Sequence, residues 1–187
     1  MDGWKKKRAM MHRYNVTADI YDKRYAKEQT AKIEAALKHM RMRPDSYCLD
    51  AGCGTGLLFP YVAGSVGNTV GVDISRRSLL IAKKRAKVFQ NVSLILADAD
   101  NIPLRKGIFD NVFALTLIQN APAPDRTLNE LVRVAKDDAV FVITGLKKTF
   151  SRKAFKKLLQ DAGLCIVALE DEDNLKCHVA VSVRHHH

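Results

Sequence analysis

Cysteine is scarce in this 187-residue chain: Cys48, Cys53, Cys165 and Cys177 lie scattered in apolar, strand-like surroundings, with no CxxC pair. That spacing argues against a disulfide framework and suits buried, reduced thiols. Histidine offers little more. His185, His186 and His187 read as a purification-tag remnant, which leaves His12, His39 and His178 without metal-ligand spacing, so no metal is expected. Long apolar runs are also missing. The strongest are only strand-sized, too short to cross a bilayer, and none near the start resembles a secretory leader. The expectation is a cytoplasmic protein with no membrane partner. Internal repeats and low-complexity segments are absent as well.

What is present suits one ordinary domain: 47% apolar and 27% charged residues, in a length that leaves no room for a second normal-sized domain. Charge is the departure. Lys and Arg number 31 against 20 acids, a formal net charge of +11 with pI ≈ 9.6. Such a balance favours polyanionic partners such as nucleic acid; the bland alternative is an enzyme that is simply basic.

From Tyr47 onward, short β-branched runs alternate with helical patterns, the rhythm of crossover units on a parallel sheet. Seven strands are predicted: 47–50, 69–73, 92–97, 111–117, 139–144, 164–170 and 176–183. Leu79, Ala82, Ala86 and Phe89 mark a helix between the second and third. Further helices are expected over 125–135 and from the N-cap Ser151 to Gly163. Only Asp171 to Leu175 separate the last two strands, too few for a helical crossover, so they should form an antiparallel hairpin. Residues 1–45 form a basic preamble in which a helix is predicted over 27–40; the main domain is expected over 46–184, with 185–187 as tag.

"CLDAGCGTGLL", residues 48–58, carries the first chemical signal. Gly52, Gly54 and Gly56 form a turn between strand and helix that lets a ligand approach the backbone. Their spacing departs by one residue from the dinucleotide fingerprint, and Asp50 would repel a pyrophosphate. A carboxylate beside an open loop suits a cationic ligand, such as the ammonium and sulfonium of S-adenosylmethionine. Asp73, at the end of the second strand, is placed to accept from both hydroxyls of a ribose. Asp98, after the third strand, can accept from an adenine amine. The alternative for Asp73 and Asp98 is a pair of helix caps.

In this order and spacing, "LDAGCGTG", "VGVDIS", "ADADNIPL", "FDNVFA" and "LNELVRV" resemble the class I S-adenosylmethionine-dependent methyltransferases, in particular the methyltransferase type eleven and ubiquinone-biosynthesis-like group. The resemblance covers roughly residues 14–183. It implies an α/β, Rossmann-like, doubly wound seven-stranded mixed sheet of strand order 3-2-1-4-5-7-6, with strand 7 antiparallel. It further implies that Asp50, Gly52, Cys53 and Gly54 hold the methionine end, Asp73 the ribose, and Asp98 with Ala99 the adenine. Gly56, Ile74, Leu115 and Tyr14 complete the expected cofactor shell. One departure is visible: the glycine-rich turn usual before the fifth strand is replaced by "AKDDAVFVI".

The acceptor is expected over the end of the fourth strand, near "TLIQNAPAP". Gln119, Asn120 and Pro122 stand where enzymes acting on exocyclic amines carry Asn or Asp followed by prolines, though here one proline and the stacking ring are missing; loop capping is the alternative role. No cysteine lies in this loop, which argues against a covalent adduct on a pyrimidine. In "HRYNVTADIYDKRY", Tyr14, Tyr21 and Tyr25 either line the cofactor or acceptor site or pack a helix on the sheet. Lys147, Lys148, Arg152 and Lys153 are expected at the pocket rim as phosphate contacts. The sequence therefore points to a methyltransferase acting on a base of ribosomal or transfer RNA, an exocyclic nitrogen slightly preferred. Its runner-up is a metabolite methyltransferase, and a non-catalytic RNA- or partner-binding subunit comes third. A small activator subunit is left open as a further partner.

Overall fold

The computed structural model describes residues 3–185, so the tag reading of His186 and His187 lies outside the described residues. Seven strands form one sheet: β1 (Tyr47–Ala51), β2 (Asn68–Asp73), β3 (Val92–Leu96), β4 (Phe109–Ala114), β5 (Ala135–Leu146), β6 (Leu164–Glu170) and β7 (Cys177–Arg184). Their spatial order is β3-β2-β1-β4-β5-β7-β6. The first five run parallel, and β7 inserts antiparallel between β5 and β6. This is the Rossmann-like mixed sheet that the motifs imply. The central strands are covered on both faces, so β4 buries all six of its residues and β1 four of five.

Helices α1 (Gly3–Leu37), α2 (Phe59–Val62), α3 (Arg76–Ala86), α4 (Pro124–Val134) and α5 (Arg152–Asp161) surround the sheet. One core layer packs Leu128 and Leu131 of α4 and Phe155 and Leu159 of α5 against Phe109, Val112 and Phe141. The opposite layer joins Ile33 and Ala36 of α1 to Val62, Phe113 and Val142. Sidechain caps at Ser75 and Ser151, which accept from the backbone N–H groups of Ser78 and Ala154, fix the starts of α3 and α5.

Three expectations are corrected. The predicted helix over 27–40 is the last part of a single 35-residue helix that begins at Gly3. The fourth strand ends at Ala114 rather than Leu117, because Thr116 adopts a left-handed backbone with φ 60. The fifth strand starts at Ala135, directly after α4, and "AKDD" is absorbed in a register shift opposite Phe109 and Asn111. A bulge thus takes the place of the glycine-rich turn, at the end of the sheet away from the strand C-termini.

Candidate active site

The C-terminal ends of β1 to β4 lie along one edge of the sheet, and their following loops build a cleft. After β1, the backbone N–H groups of Gly52 and Cys53 both donate to the carbonyl of Val72, folding the loop back over β2. Gly52 and Gly56 have φ of 72 and 79. A Cβ on Gly56 would stand 2.4 Å from the Phe59 ring, so that turn admits glycine alone. Gly54 N–H donates to Asp73 Oδ2 at 2.8 Å, which ties the glycine loop to the end of the second strand.

Asp73 Oδ1 also accepts from Ser75 N–H at 2.7 Å, and the residue lines the cleft. Burial raises its pKa, partly offset by the N–H donors of Ser75, Gly54 and Ile74. Asp50 is more extreme. It is 3% exposed and looks into a small void beneath the glycine loop, walled by Gly52, Gly54, Thr55, Tyr21 and Leu115, residues that also line the main cleft. Burial, then the neighbouring Asp73 charge, push its pKa up to about 8, and among the described residues no cation or donor offsets this. Cys53 lies alongside with its thiol pushed well up by burial, a filler rather than a nucleophile.

Asp98, Ala99, Ile74, Leu115 and Tyr14 line the cleft as well. Asp98 Oδ1 accepts from Asp100 N–H at 3.0 Å, and Oδ2 receives Lys7 Nζ at 2.5 Å. Lys7 also bonds Asp100, whose other oxygen accepts from Thr127 at 2.5 Å. Burial alone would lower the Lys7 ammonium, but these two carboxylates outweigh it and hold its pKa above the usual value. Neither Lys7 nor Asp100 was singled out in the sequence. Asp100 was legible as the second acid of "ADADN"; Lys7 is indistinguishable within "WKKKR" until α1 crosses the cleft.

Beside this cleft lies a second chamber of about 730 Å³. The two share Tyr14, Tyr21, Thr116 and Asn120 as common walls. Thr116 Oγ1 accepts from Gln29 Nε2 at 2.9 Å and from Lys32 Nζ at 3.0 Å, and its N–H donates to Thr144 Oγ1 at 2.8 Å. These bonds hold a β-branched residue at positive φ, a conformation that needs such support. Lys32 is fully buried and paired with Glu28 at 2.7 Å. Asn120 Nδ2 donates to Thr116 O at 2.8 Å and to Tyr14 Oη at 3.0 Å, while Arg13 reaches its Oδ1 at 3.2 Å. Gln119 lines the chamber, and its Oε1 is buried without a hydrogen-bond partner among the described residues. Pro122 lines the cofactor-side cleft. Tyr21 accepts from Gln29 at 3.0 Å, and burial raises its phenol pKa, so it stays a neutral hydroxyl.

Of the four basic residues expected together at the rim, Lys147 and Lys148 line the chamber, and Lys147 Nζ is engaged by Asp171 at 3.1 Å and by the Glu172 carbonyl at 2.8 Å. Arg152 and Lys153 line a shallow groove on α5 with Lys156 and Lys157. Arg152 Nε nevertheless lies 3.7 Å from Asp171, the carboxylate that also engages Lys147. Among the described residues no cluster of three or more His, Cys, Asp or Glu could hold a metal ion, and no helix is long and apolar enough to cross a membrane.

A family model described as a methyltransferase domain matches residues 49–143, which span β1 through β5 and all three rim carboxylates. The chain belongs to this methyltransferase family. It is a class I, S-adenosylmethionine-dependent type. An uncharacterized protein of Methanocaldococcus jannaschii is 30% identical over 131 residues, 70% of this chain and 49% of that protein. A demethylmenaquinone methyltransferase of Staphylococcus saprophyticus is 33% identical over 109 residues, 57% of this chain and 47% of that enzyme. The chain thus spans about half the length of the curated relatives it matches. Among solved structures, a candidate methyltransferase in complex with the Haloferax volcanii Trm112 methyltransferase activator superposes with TM-score 0.81 at 18% identity, covering 92% of this chain and 98% of that one.

S-adenosylmethionine is the cofactor of this methyltransferase family, and the residues fit it. An unpartnered buried carboxylate, Asp50, calls for a cation, which the ammonium of the methionine end provides. Asp73, Asp98 and Ala99 line the same cleft, where Asp73 would offer two acceptor oxygens to a ribose and Asp98 with the Ala99 backbone would meet the adenine. The cleft itself holds about 80 Å³ with α1 laid across it, far below the few hundred Å³ of a nucleoside-sized site.

Proposed function

We propose that the chain is the catalytic domain of a methyltransferase whose acceptor is a small molecule held in the tyrosine-walled chamber. The observation that carries this is the shared wall of Tyr14, Tyr21, Thr116 and Asn120, across which a chamber of about 730 Å³ opens onto the cofactor cleft. That volume is ordinary for metabolite sites. The demethylmenaquinone methyltransferase relative supports the same class. When bound, S-adenosylmethionine would supply an electrophilic methyl group on cationic sulfur for transfer to the acceptor. The chain's own contribution is orientation and exclusion of water. Gln29 and Lys32 fix the Thr116 hydroxyl at the junction. Asn120, with its amide already bonded to Thr116 and Tyr14, acts as a positioning residue for Tyr14 and Arg13.

RNA is the second reading, favoured by the +11 net charge. The Trm112-bound structural neighbour adds the prospect of a small activator subunit. One experiment separates the readings: protein incubated with methyl-tritiated S-adenosylmethionine is offered, separately, a deproteinised metabolite extract and total RNA. Label in the low-molecular-weight fraction is expected, with transfer nearly indifferent to added salt. Label in RNA, falling steeply between 50 and 200 mM salt as phosphate contacts require (roughly 10³–10⁵ in affinity for 6–10 contacts), reverses the order of the two readings.

A further inference from the structure

Five cations line the acceptor chamber, Arg13, Arg24, Lys147, Lys148 and Lys176, against two carboxylates, Glu28 and Asp173. Three of the five already have work. Arg13 bonds Asn120 and lies 5.0 Å over the Tyr14 ring, Lys147 pairs with Asp171, and Lys176 pairs with Glu28 at 3.3 Å. Arg24 and Lys148 are different: among the described residues neither side chain has a hydrogen-bond or carboxylate partner, and both face the same chamber. Aromatic surface lies beside them. Tyr21 and Tyr25 stand 4.9 Å apart by ring centroids, tilted by 47°, and Tyr14 follows at 6.3 Å from Tyr21. Tyr25 is 40% exposed, an unusual exposure for a ring that only packs a helix.

We infer that this chamber selects an acceptor that is both planar and anionic, its ring against Tyr21 and Tyr25 and its carboxylate or phosphate on Arg24 and Lys148. The inference rests on the small-molecule reading above and narrows it to one substrate class. Rings supply area at low entropic cost, and two unpaired cations in the same chamber lining would convert charge on the acceptor into orientation. The ring is then pointed at the shared wall.

The test uses the whole chain with four probes: 4-hydroxybenzoate and phenyl phosphate as planar anions, 4-hydroxybenzamide and phenol as their neutral counterparts. Binding is read by ligand-observed NMR and calorimetry, with and without S-adenosylhomocysteine. Each anion should bind at least about tenfold more tightly than its neutral counterpart, and the preference should vanish in R24Q/K148Q while the thermal midpoint stays put. Phenyl phosphate ahead of 4-hydroxybenzoate assigns a phosphorylated acceptor; the reverse assigns an aromatic acid. Equal binding of neutral and anionic probes overturns the inference, as does a preference that survives in the double variant. An oligoribonucleotide that binds where all four probes fail also overturns it. Failure of S-adenosylhomocysteine to bind would instead count against the methyltransferase reading, because the anion preference is scored on the free protein as well.

Discussion

Asp50 is the residue proposed to face the cofactor's ammonium, and burial pushes its pKa up to about 8. A carboxylate raised from 3.8 to about 8 binds more protons in the folded than the unfolded chain between those values, so the free protein loses stability as pH rises through that window. A cation against Asp50 reverses the shift. At pH 7, S-adenosylhomocysteine should therefore release close to one proton on binding, measured by calorimetry in two buffers of different ionisation enthalpy. Affinity should climb roughly tenfold per pH unit toward 8 and level off above it, where Asp50 is already ionised. Asp50→Asn should abolish the proton release; release that persists would assign the titration elsewhere. Asp73→Ala should weaken the same ligand by about 10–100-fold, since it deletes charged acceptors for the ribose and frees the N–H of Gly54. Unchanged affinity in a variant with an unaltered melting curve would reject the ribose assignment.

At the scale of elements, α1 has two halves held by different forces. Its C-terminal half buries Ile33, Ala35 and Ala36 against the sheet, and a fully buried side chain of the size of Ile33 contributes about 1.5–3 kcal/mol. Its N-terminal half is latched mainly by polar pairs: Lys7 to Asp98 and Asp100, Asp19 to Arg77 at 2.8 Å, and Asp22 to Arg85 at 2.7 Å. The Asp19–Arg77 pair is more than half exposed on both sides and contributes only about 0.2–1 kcal/mol. The half that covers the cofactor cleft is therefore the half that can leave it. Hydrogen exchange should show residues 3–25 opening far more readily than 29–37, faster still in 1 M salt, with 29–37 unaffected by salt. Equal protection along the helix would contradict this division. The glycine turn behaves oppositely: Gly56→Ala should destabilise the fold by about 1–3 kcal/mol in chemical denaturation, from positive φ and collision with Phe59.

The whole molecule places a parallel sheet's carboxylate-bearing edge under a helix drawn from the chain's first residues, and this decides how much of it could be read in advance. Strand count and the glycine loop with Asp50, Asp73 and Asp98 were legible because they depend on local spacing: a period of two in strands, an acid at each strand's end, glycine where φ must be positive; the strand order followed only from the resemblance of the motifs to a known family. The 24 residues of α1 before Lys27 were not, because that stretch is charged on every side and has no apolar stripe to announce a helix; its partners, Asp98, Arg77 and Arg85, lie 58 to 91 residues away. Asn120 was visible as a polar residue in the right loop, but only its contacts with Thr116, Tyr14 and Arg13 show it saturated. Arg152 and Lys153 follow the fifth strand closely in sequence and line the groove on α5, while Arg152 also stays on Asp171, the carboxylate that engages Lys147. What the sequence alone determined is the strands and the acids that end them, since backbone periodicity and local spacing mark both. What the tertiary structure decided is which cations remain without partners and which chamber they face, since pairing of charges depends on distances between segments remote along the chain.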